Sequence, residues 1–143
     1  MIQLVDVDSK NWRIPLRVSK AQERYVANSV TILARAYAYR NARSRAFFIY
    51  KEEVPVGMGL YYDDEVSGSY IFSELFIDER FQGKGFGKEA TKLVLDNMKK
   101  DGKYSKVILC YIEGNKAAKE LYKSYGFVET DRDEDEIIME LKL

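Results

Sequence analysis

Apolar and polar residues alternate over residues 2–7 (IQLVDV), the period of a half-buried β-strand. Ser19 and Gln22 then form a capping box, and Tyr25, Val26, Ser29, Val30, Leu33, Ala36 and Tyr37 follow at helical spacing. One helix is therefore expected from Ser19 to about residue 38. Residues 46–51 (AFFIYK) and 54–62 (VPVGMGLYY) read as strands joined by a tight turn at Glu52-Glu53, and Asp63-Asp64 opens the next turn. Residues 69–77 (SYIFSELFI) are a further strand; a glycine-rich turn follows, then a helix from about Gly85 to Lys100. Residues 106–112 (KVILCYI) are continuously apolar, the pattern of a strand buried on both faces. Asn115–Tyr125 reads as a helix ended by Gly126. Residues 127–130 and 136–142 are two short strands around the acidic turn Asp131–Asp135. The order β, α, two or three antiparallel strands, β-α, β-α, ββ predicts an α+β or mixed α/β fold. No linker or repeat interrupts residues 1–143, so one domain is expected.

Composition narrows the partners. Hydrophobic residues make up 46% of the chain, enough for a core. No apolar run approaches the roughly 18 residues of a membrane span, and the opening residues lack a signal-peptide pattern. With a single cysteine, the expected compartment is the cytoplasm. Net charge is zero but uneven: residues 1–50 hold nine basic and three acidic side chains, residues 129–143 two and seven. A neutral chain argues against nucleic acid as a general partner. The sequence contains no histidine, which removes the commonest general base and metal ligand. With one cysteine besides, no metal site is expected.

The chemistry concentrates in Gln82-Gly83-Lys84-Gly85-Phe86-Gly87, after a strand and at the start of a helix. Glycines adopt positive φ and let a ligand approach the backbone. Their N–H groups, at the positive end of a helix, suit a pyrophosphate. Lys84 and Lys88 add positive charge. The dinucleotide fingerprint fails because Lys88 stands where its third glycine belongs, and the Walker A motif fails because Glu89 follows Gly87-Lys88. The pattern [QR]-x-x-G-x-[GA], an acetyl-CoA signature, is met by Gln82, Gly85 and Gly87.

The segment LFIDERFQGKGFGKEATKLVL resembles motif A of the GNAT acetyltransferases. A second segment, Asn115-x-x-Ala118-x-x-Leu121-Tyr122-x-x-Tyr125-Gly126-Phe127, resembles that family's N-x-x-A-x-x-L-Y-x-x-x-G-F element. Together they span residues 70–128. The resemblance implies a central mixed, mostly antiparallel sheet whose two central strands, residues 70–77 and 106–112, splay apart. It implies acetyl-CoA as cosubstrate, held by the backbone of Leu75, Phe76 and Ile77, by the turn Gln82–Lys88, and by Asn115, Ala118 and Tyr122. A free N–H on the splayed strand would also suit an oxyanion.

An amine must lose its proton to attack, and a general base assists that step. Glu74, in the strand beside the thioester, is the candidate, either directly or through a water chain. Relatives often carry the acid one position earlier, where Ser73 stands, so a bulge would decide which side chain faces the cleft. By its place in the family motif, Tyr122 is the general acid for the leaving thiolate; the alternative is an aromatic core contact. Asn115 either contacts the cosubstrate or caps its helix. Cys110 reads as a buried structural thiol, so direct transfer in a ternary complex is expected rather than an acetyl-cysteine.

The acceptor is less legible. Leu16-x-Val18-x-x-x-Gln22-x-x-Tyr25-Val26-x-x-x-Ser29 and Ala34-x-Ala36-Tyr37 resemble bacterial spermine/spermidine (diamine) acetyltransferases. A polyamine needs separated carboxylates and aromatic faces, which Glu23, Glu74, Asp63, Asp64, Tyr61 and Tyr62 could supply. The basic stretch Arg40–Arg45 is either plain surface or a contact for the CoA 3′-phosphate. Two rivals stay open: a GNAT enzyme for a peptide N-terminus, amino sugar or amino acid, and a non-catalytic acetyl-CoA-binding module. A homodimer is compatible with the family.

Overall fold

Seven strands form one sheet in the order β1-β2-β3-β4-β5-β7-β6: β1 (Ile2–Asp6), β2 (Arg45–Lys51), β3 (Val54–Asp64), β4 (Ser69–Ile77), β5 (Lys106–Ile112), β6 (Val128–Asp133) and β7 (Glu136–Lys142). The structure, a computed structural model, describes residues 1–143. Only β4 and β5 pair in parallel; all other neighbours are antiparallel. Three helices flank the sheet: α1 (Ser29–Ala38), α2 (Phe86–Asp101) and α3 (Lys116–Ser124). This is the mixed, mostly antiparallel sheet that the resemblance implies.

Alternation along the strands builds two cores. On the α2 and α3 side lie Phe47, Ile49, Tyr70, Phe72, Val94, Met98, Leu109, Phe127 and Met139. On the α1 side lie Leu16, Ile32, Phe48, Met58, Leu60 and Phe76. Each such side chain, fully buried, contributes roughly 1.5–3 kcal/mol. Phe47 and Phe48 point to opposite faces as neighbours on a pleated strand must.

The expected helix from Ser19 does not form as one piece. Ser19 makes no side-chain capping bond, and only a single 3-10 turn, Lys20–Gln22, follows it. The helix begins instead at Ser29, where Asn28 Oδ1 accepts from Thr31 N at 2.8 Å. Residues between these turns peel away and pass over the sheet edge described below. Three further readings differ. The expected acidic turn Asp131–Asp135 is mostly strand, since β6 stays paired as far as Asp133↔Glu136 and only Glu134-Asp135 turn. Asp63-Asp64 end β3 rather than open a turn, because β3 stays paired as far as Asp64↔Ser69. In β5 burial alternates rather than being complete, since Val107, Leu109 and Tyr111 are buried but Ile108, Cys110 and Ile112 are not.

The feature that positions the site is an irregularity in β4. Leu60 pairs with Glu74, but the next residue, Tyr61, pairs with Phe72, so Ser73 is an inserted residue. A bulge sharpens local twist and bends its strand. On its other side β4 meets β5 only at Tyr70↔Val107 and Ile71↔Ile108. Beyond that point the two strands part, and Phe72–Ile77 has no ladder partner facing β5.

At the end of β4, Asp78 is fully buried. Its carboxylate accepts from Arg17 N (2.9 Å), Arg80 N (2.9 Å) and the Arg80 guanidinium (2.8 and 3.2 Å). Burial alone would raise its pKa, but the Arg80 guanidinium and the backbone donors outweigh burial and hold it at about 2. A depressed carboxylate stabilises the fold above the ordinary value near 4 and loses that contribution as pH falls toward about 2. Asp78→Asn is expected to cost about 2 kcal/mol at neutral pH and to flatten the loss of stability between about pH 4 and 2. Urea unfolding across that range measures it; an unchanged midpoint would remove this role.

Candidate active site

Where β4 and β5 part, a cleft of about 970 Å³ opens. Residues 71–77 of β4 form one wall and residues 108–112 of β5 the other. The start of α2, the inner face of α3 and the crossing segment Gln22 to Ala27 close it.

Its first end is the glycine-rich turn. Gly83 (φ +77°) and Gly85 (φ +81°) both hold the left-handed conformation, and no atom lies within 4 Å of a Cβ built on either. Space is therefore kept open above the turn. Gly85 caps α2 with no side-chain bond, and the first intrahelical bond is Glu89 N to Gly85 O at 3.1 Å. The N–H groups of Phe86, Gly87 and Lys88 thus precede the ladder and are free for an anion. Lys84 and Lys88 are exposed beside them. Gln82 instead ties the turn down. Its amide donates to Ile77 O (3.0 Å) and to Gln22 Oε1 (2.6 Å), fastening the turn to β4 and to the crossing segment. These open glycines, free N–H groups and unpaired strand edge (Leu75, Phe76, Ile77) fit a pyrophosphate followed by an extended arm.

At the middle of the cleft stand Tyr122 and Glu74. Tyr122 packs edge-on against Phe72 (5.9 Å) and Phe127 (5.7 Å) while lining the cleft, so it is both a core contact and a cleft residue. Burial, and then the nearby charge of Glu74, push its phenol above the ordinary value, which keeps it protonated. Asn115 caps α3, accepting from Ala118 N at 3.2 Å, and both residues line the cleft. The bulge brings Ser73 and Glu74 to the same side. One nitrogen of Arg35, Nη1, donates to Glu74 Oε1 at 2.6 Å and to Ser73 Oγ at 3.2 Å. Glu74 Oε2 has only a long contact, 3.5 Å, from Ala27 N.

Cys110 is exposed to this cleft, not buried, because the β5 face that carries it looks onto the gap rather than onto a helix. Burial of its neighbourhood and the charges of Glu136 and Glu74 raise its pKa, so it is a thiol and not a thiolate.

Four expected acceptor residues lie elsewhere. Asp63 is buried on the opposite side, bonded to Arg43 (2.6 and 3.1 Å) and to Lys103 (3.2 Å). Tyr61 faces that same side, its hydroxyl accepting from Arg45 at 3.0 Å. Asp64 accepts from Ser67 Oγ at 2.6 Å within its turn. Glu23 is exposed and does not line the cleft. The basic stretch is an internal tie: Arg43 joins Asp63 to Asp101 of α2 (2.9 Å), and Arg45 pairs with Asp6.

In their place the cleft contains residues that pattern reading passed over: Arg24, Arg35, Tyr39, Asp133 and Glu136. Tyr39 stacks on Tyr62 with centroids 4.1 Å apart and planes 8° from parallel. Burial first, and Tyr39 next, push the Tyr62 phenol up to about 12. Only the inward turn of α1 gave a signal for Arg35, the one charged residue in that helix.

No helix is long and apolar enough to cross a membrane. The sequence profile of the acetyltransferase (GNAT) family matches residues 8–127. The spermine/spermidine N(1)-acetyltransferase of Bacillus subtilis is 30% identical over 132 aligned positions, covering 88% of this chain and 86% of that protein. Among solved structures, spermidine N-acetyltransferase from Vibrio cholerae in complex with CoA and spermine superposes with a TM-score of 0.78 at 20% identity, over 99% of this chain and 95% of that one. A GNAT acetyltransferase from Elizabethkingia anophelis with acetyl-CoA bound gives a TM-score of 0.71 at 15% identity, over 99% and 98% of the two chains. With the family profile covering most of its length, the chain belongs to the GNAT family of acetyltransferases.

Proposed function

We propose that residues 1–143 act as one domain that transfers an acetyl group from acetyl-CoA to a primary amine, with a polyamine as acceptor. The observation that carries the reading is the meeting of the open glycine turn, the unpaired edge of β4, Tyr122 and Glu74 in one cleft. Acetyl-CoA supplies the acyl group already activated as a thioester.

The residues divide the work. The N–H groups at the start of α2 hold the pyrophosphate, with Lys84 and Lys88 adding charge. Leu75, Phe76 and Ile77 offer main-chain groups to an extended arm, as strand addition requires. Glu74 takes a proton from the attacking nitrogen. Tyr122, kept protonated, gives one to the departing sulfur. An arriving ammonium gives up two protons in all, one before attack and one as the amide forms. One is matched by the proton that Tyr122 gives to sulfur and the other passes to solvent, so the transfer balances.

The polyamine part rests on two supports. Relatives are named for spermine and spermidine acetylation. The cleft also carries Asp133 and Glu136 besides Glu74, with the Tyr39–Tyr62 pair at its wall. A second ammonium held by one such carboxylate gains roughly 1.5–3 kcal/mol. Asp63 and Asp64 have no part in this, since their carboxylates are engaged on the far side.

Three results test the proposal. CoA release across an amine panel should show spermidine or spermine ahead of a simple alkylamine by about 10- to 150-fold in kcat/KM; parity would leave only the general N-acetyltransferase. Gly85→Val should abolish the thermal stabilisation by acetyl-CoA. Its Cβ meets no protein atom, so lost binding reports a blocked ligand. The strain of positive φ, about 1–2 kcal/mol, appears separately in the unliganded melting point. Tyr122→Phe should lower kcat about 10- to 1,000-fold while acetyl-CoA still binds; normal turnover would reduce Tyr122 to its packing against Phe72 and Phe127.

A further inference from the structure

The cleft's central carboxylate is not free. Glu74 reaches the cleft because Ser73 is inserted in β4, and Arg35 of α1 grips both residues of that bulge with a single nitrogen. The Arg35 and Glu74 side chains are 34% and 15% exposed, so the pair is largely withdrawn from water, where an ion pair holds its geometry better than at the surface. Its two carboxylate oxygens are unequal. Oε1 sits 2.6 Å from Arg35 Nη1, whereas Oε2 has only the 3.5 Å contact from Ala27 N. A contact of that length leaves Oε2 with most of its accepting capacity.

We infer that Arg35 is a positioning residue for the transfer, fixing Glu74 through Oε1 so that Oε2 meets the acceptor nitrogen. The inference deepens the acetyltransferase reading and rests on it. Arg35 has a second effect on the same site. Its charge offsets that of Glu74, so an arriving ammonium meets a near-neutral pair rather than a bare anion. Attraction for cations at the reacting centre is thereby held down, and Glu74 keeps a lone pair for proton removal instead of being locked to an ammonium. Arg35 itself is held at the bulge by Ser73 Oγ, which accepts from the same Nη1 at 3.2 Å.

The two effects predict a split in opposite directions. Arg35→Gln should lower kcat about 10- to 100-fold, the scale of a misplaced catalytic group. It should also lower KM for spermidine about 3- to 10-fold, because a carboxylate with no guanidinium partner draws cations more strongly. In a Glu74→Gln background the same substitution should change either quantity less than about 2-fold, since coupled residues are not additive. Arg35→Lys should recover part of kcat. Steady-state CoA release measures these values, and calorimetric titration of spermidine into the CoA-bound proteins measures affinity without turnover. Circular dichroism melts show whether each variant is folded at assay temperature. Equal losses of kcat with and without Glu74, or a KM and affinity that do not improve in Arg35→Gln, overturn the positioning role and leave the acetyltransferase standing. Wild-type protein that releases no CoA with any amine overturns the acetyltransferase reading, and this inference with it.

Discussion

One inserted residue governs the centre of this molecule. Ser73 puts β4 out of step with β3, and the strand twists away from β5 after two paired positions. A sheet normally satisfies its own backbone, and buried groups left unpaired are costly. Here the cost is concentrated along one edge, inside a cleft, next to a turn that also withholds its N–H groups from the protein. The same insertion shifts side-chain parity. Without it Glu74 would point to the α2 face; with it the carboxylate shares a side with Ser73 and Arg35. The open strand edge and the placement of the Glu74 carboxylate in the cleft are two results of a single register change.

What the sequence made legible was local. The Gln82–Gly87 turn and the Asn115–Gly126 segment are built from residues adjacent in the chain, so spacing alone located them and the strands before each. The bulge in β4 was foreseeable only as an alternative, because register depends on the partner strand. The acceptor side was harder, since its residues meet across long separations. Asp63 reads as a turn acid until Arg43, twenty positions away, and Lys103, forty away, are seen to neutralise it. Ser19 has the spacing of a capping box, yet Asn28 starts the helix, since the intervening residues cross the cleft instead of coiling. In KVILCYI an apolar run suggested burial on both sides, but one side of β5 faces the gap. Hydrophobicity there belongs to the wall of the cleft.

Three separate ties hold the segments on the two sides of the sheet. Gln82 binds the glycine turn to Gln22, Asp78 binds the end of β4 to Arg17 and Arg80, and Arg43 binds the far end of α2 to β3 through Asp101 and Asp63. Each joins segments that the parting of β4 and β5 would otherwise leave loosely related. Helix α2 is therefore fixed at both ends, by the turn at its start and by a guanidinium at its finish.

Cys110 has a practical consequence. It is the only sulfhydryl in the chain, and it stands on the wall of the cleft in the company of Glu74 and Glu136. Its raised pKa makes it sluggish toward alkylating reagents at neutral pH and more reactive as pH rises. A fluorophore attached there would need no engineered cysteine and no masking of others. Any group attached there would stand in the gap between β4 and β5, so labelling the native chain at its one thiol is also a way to plug the cleft.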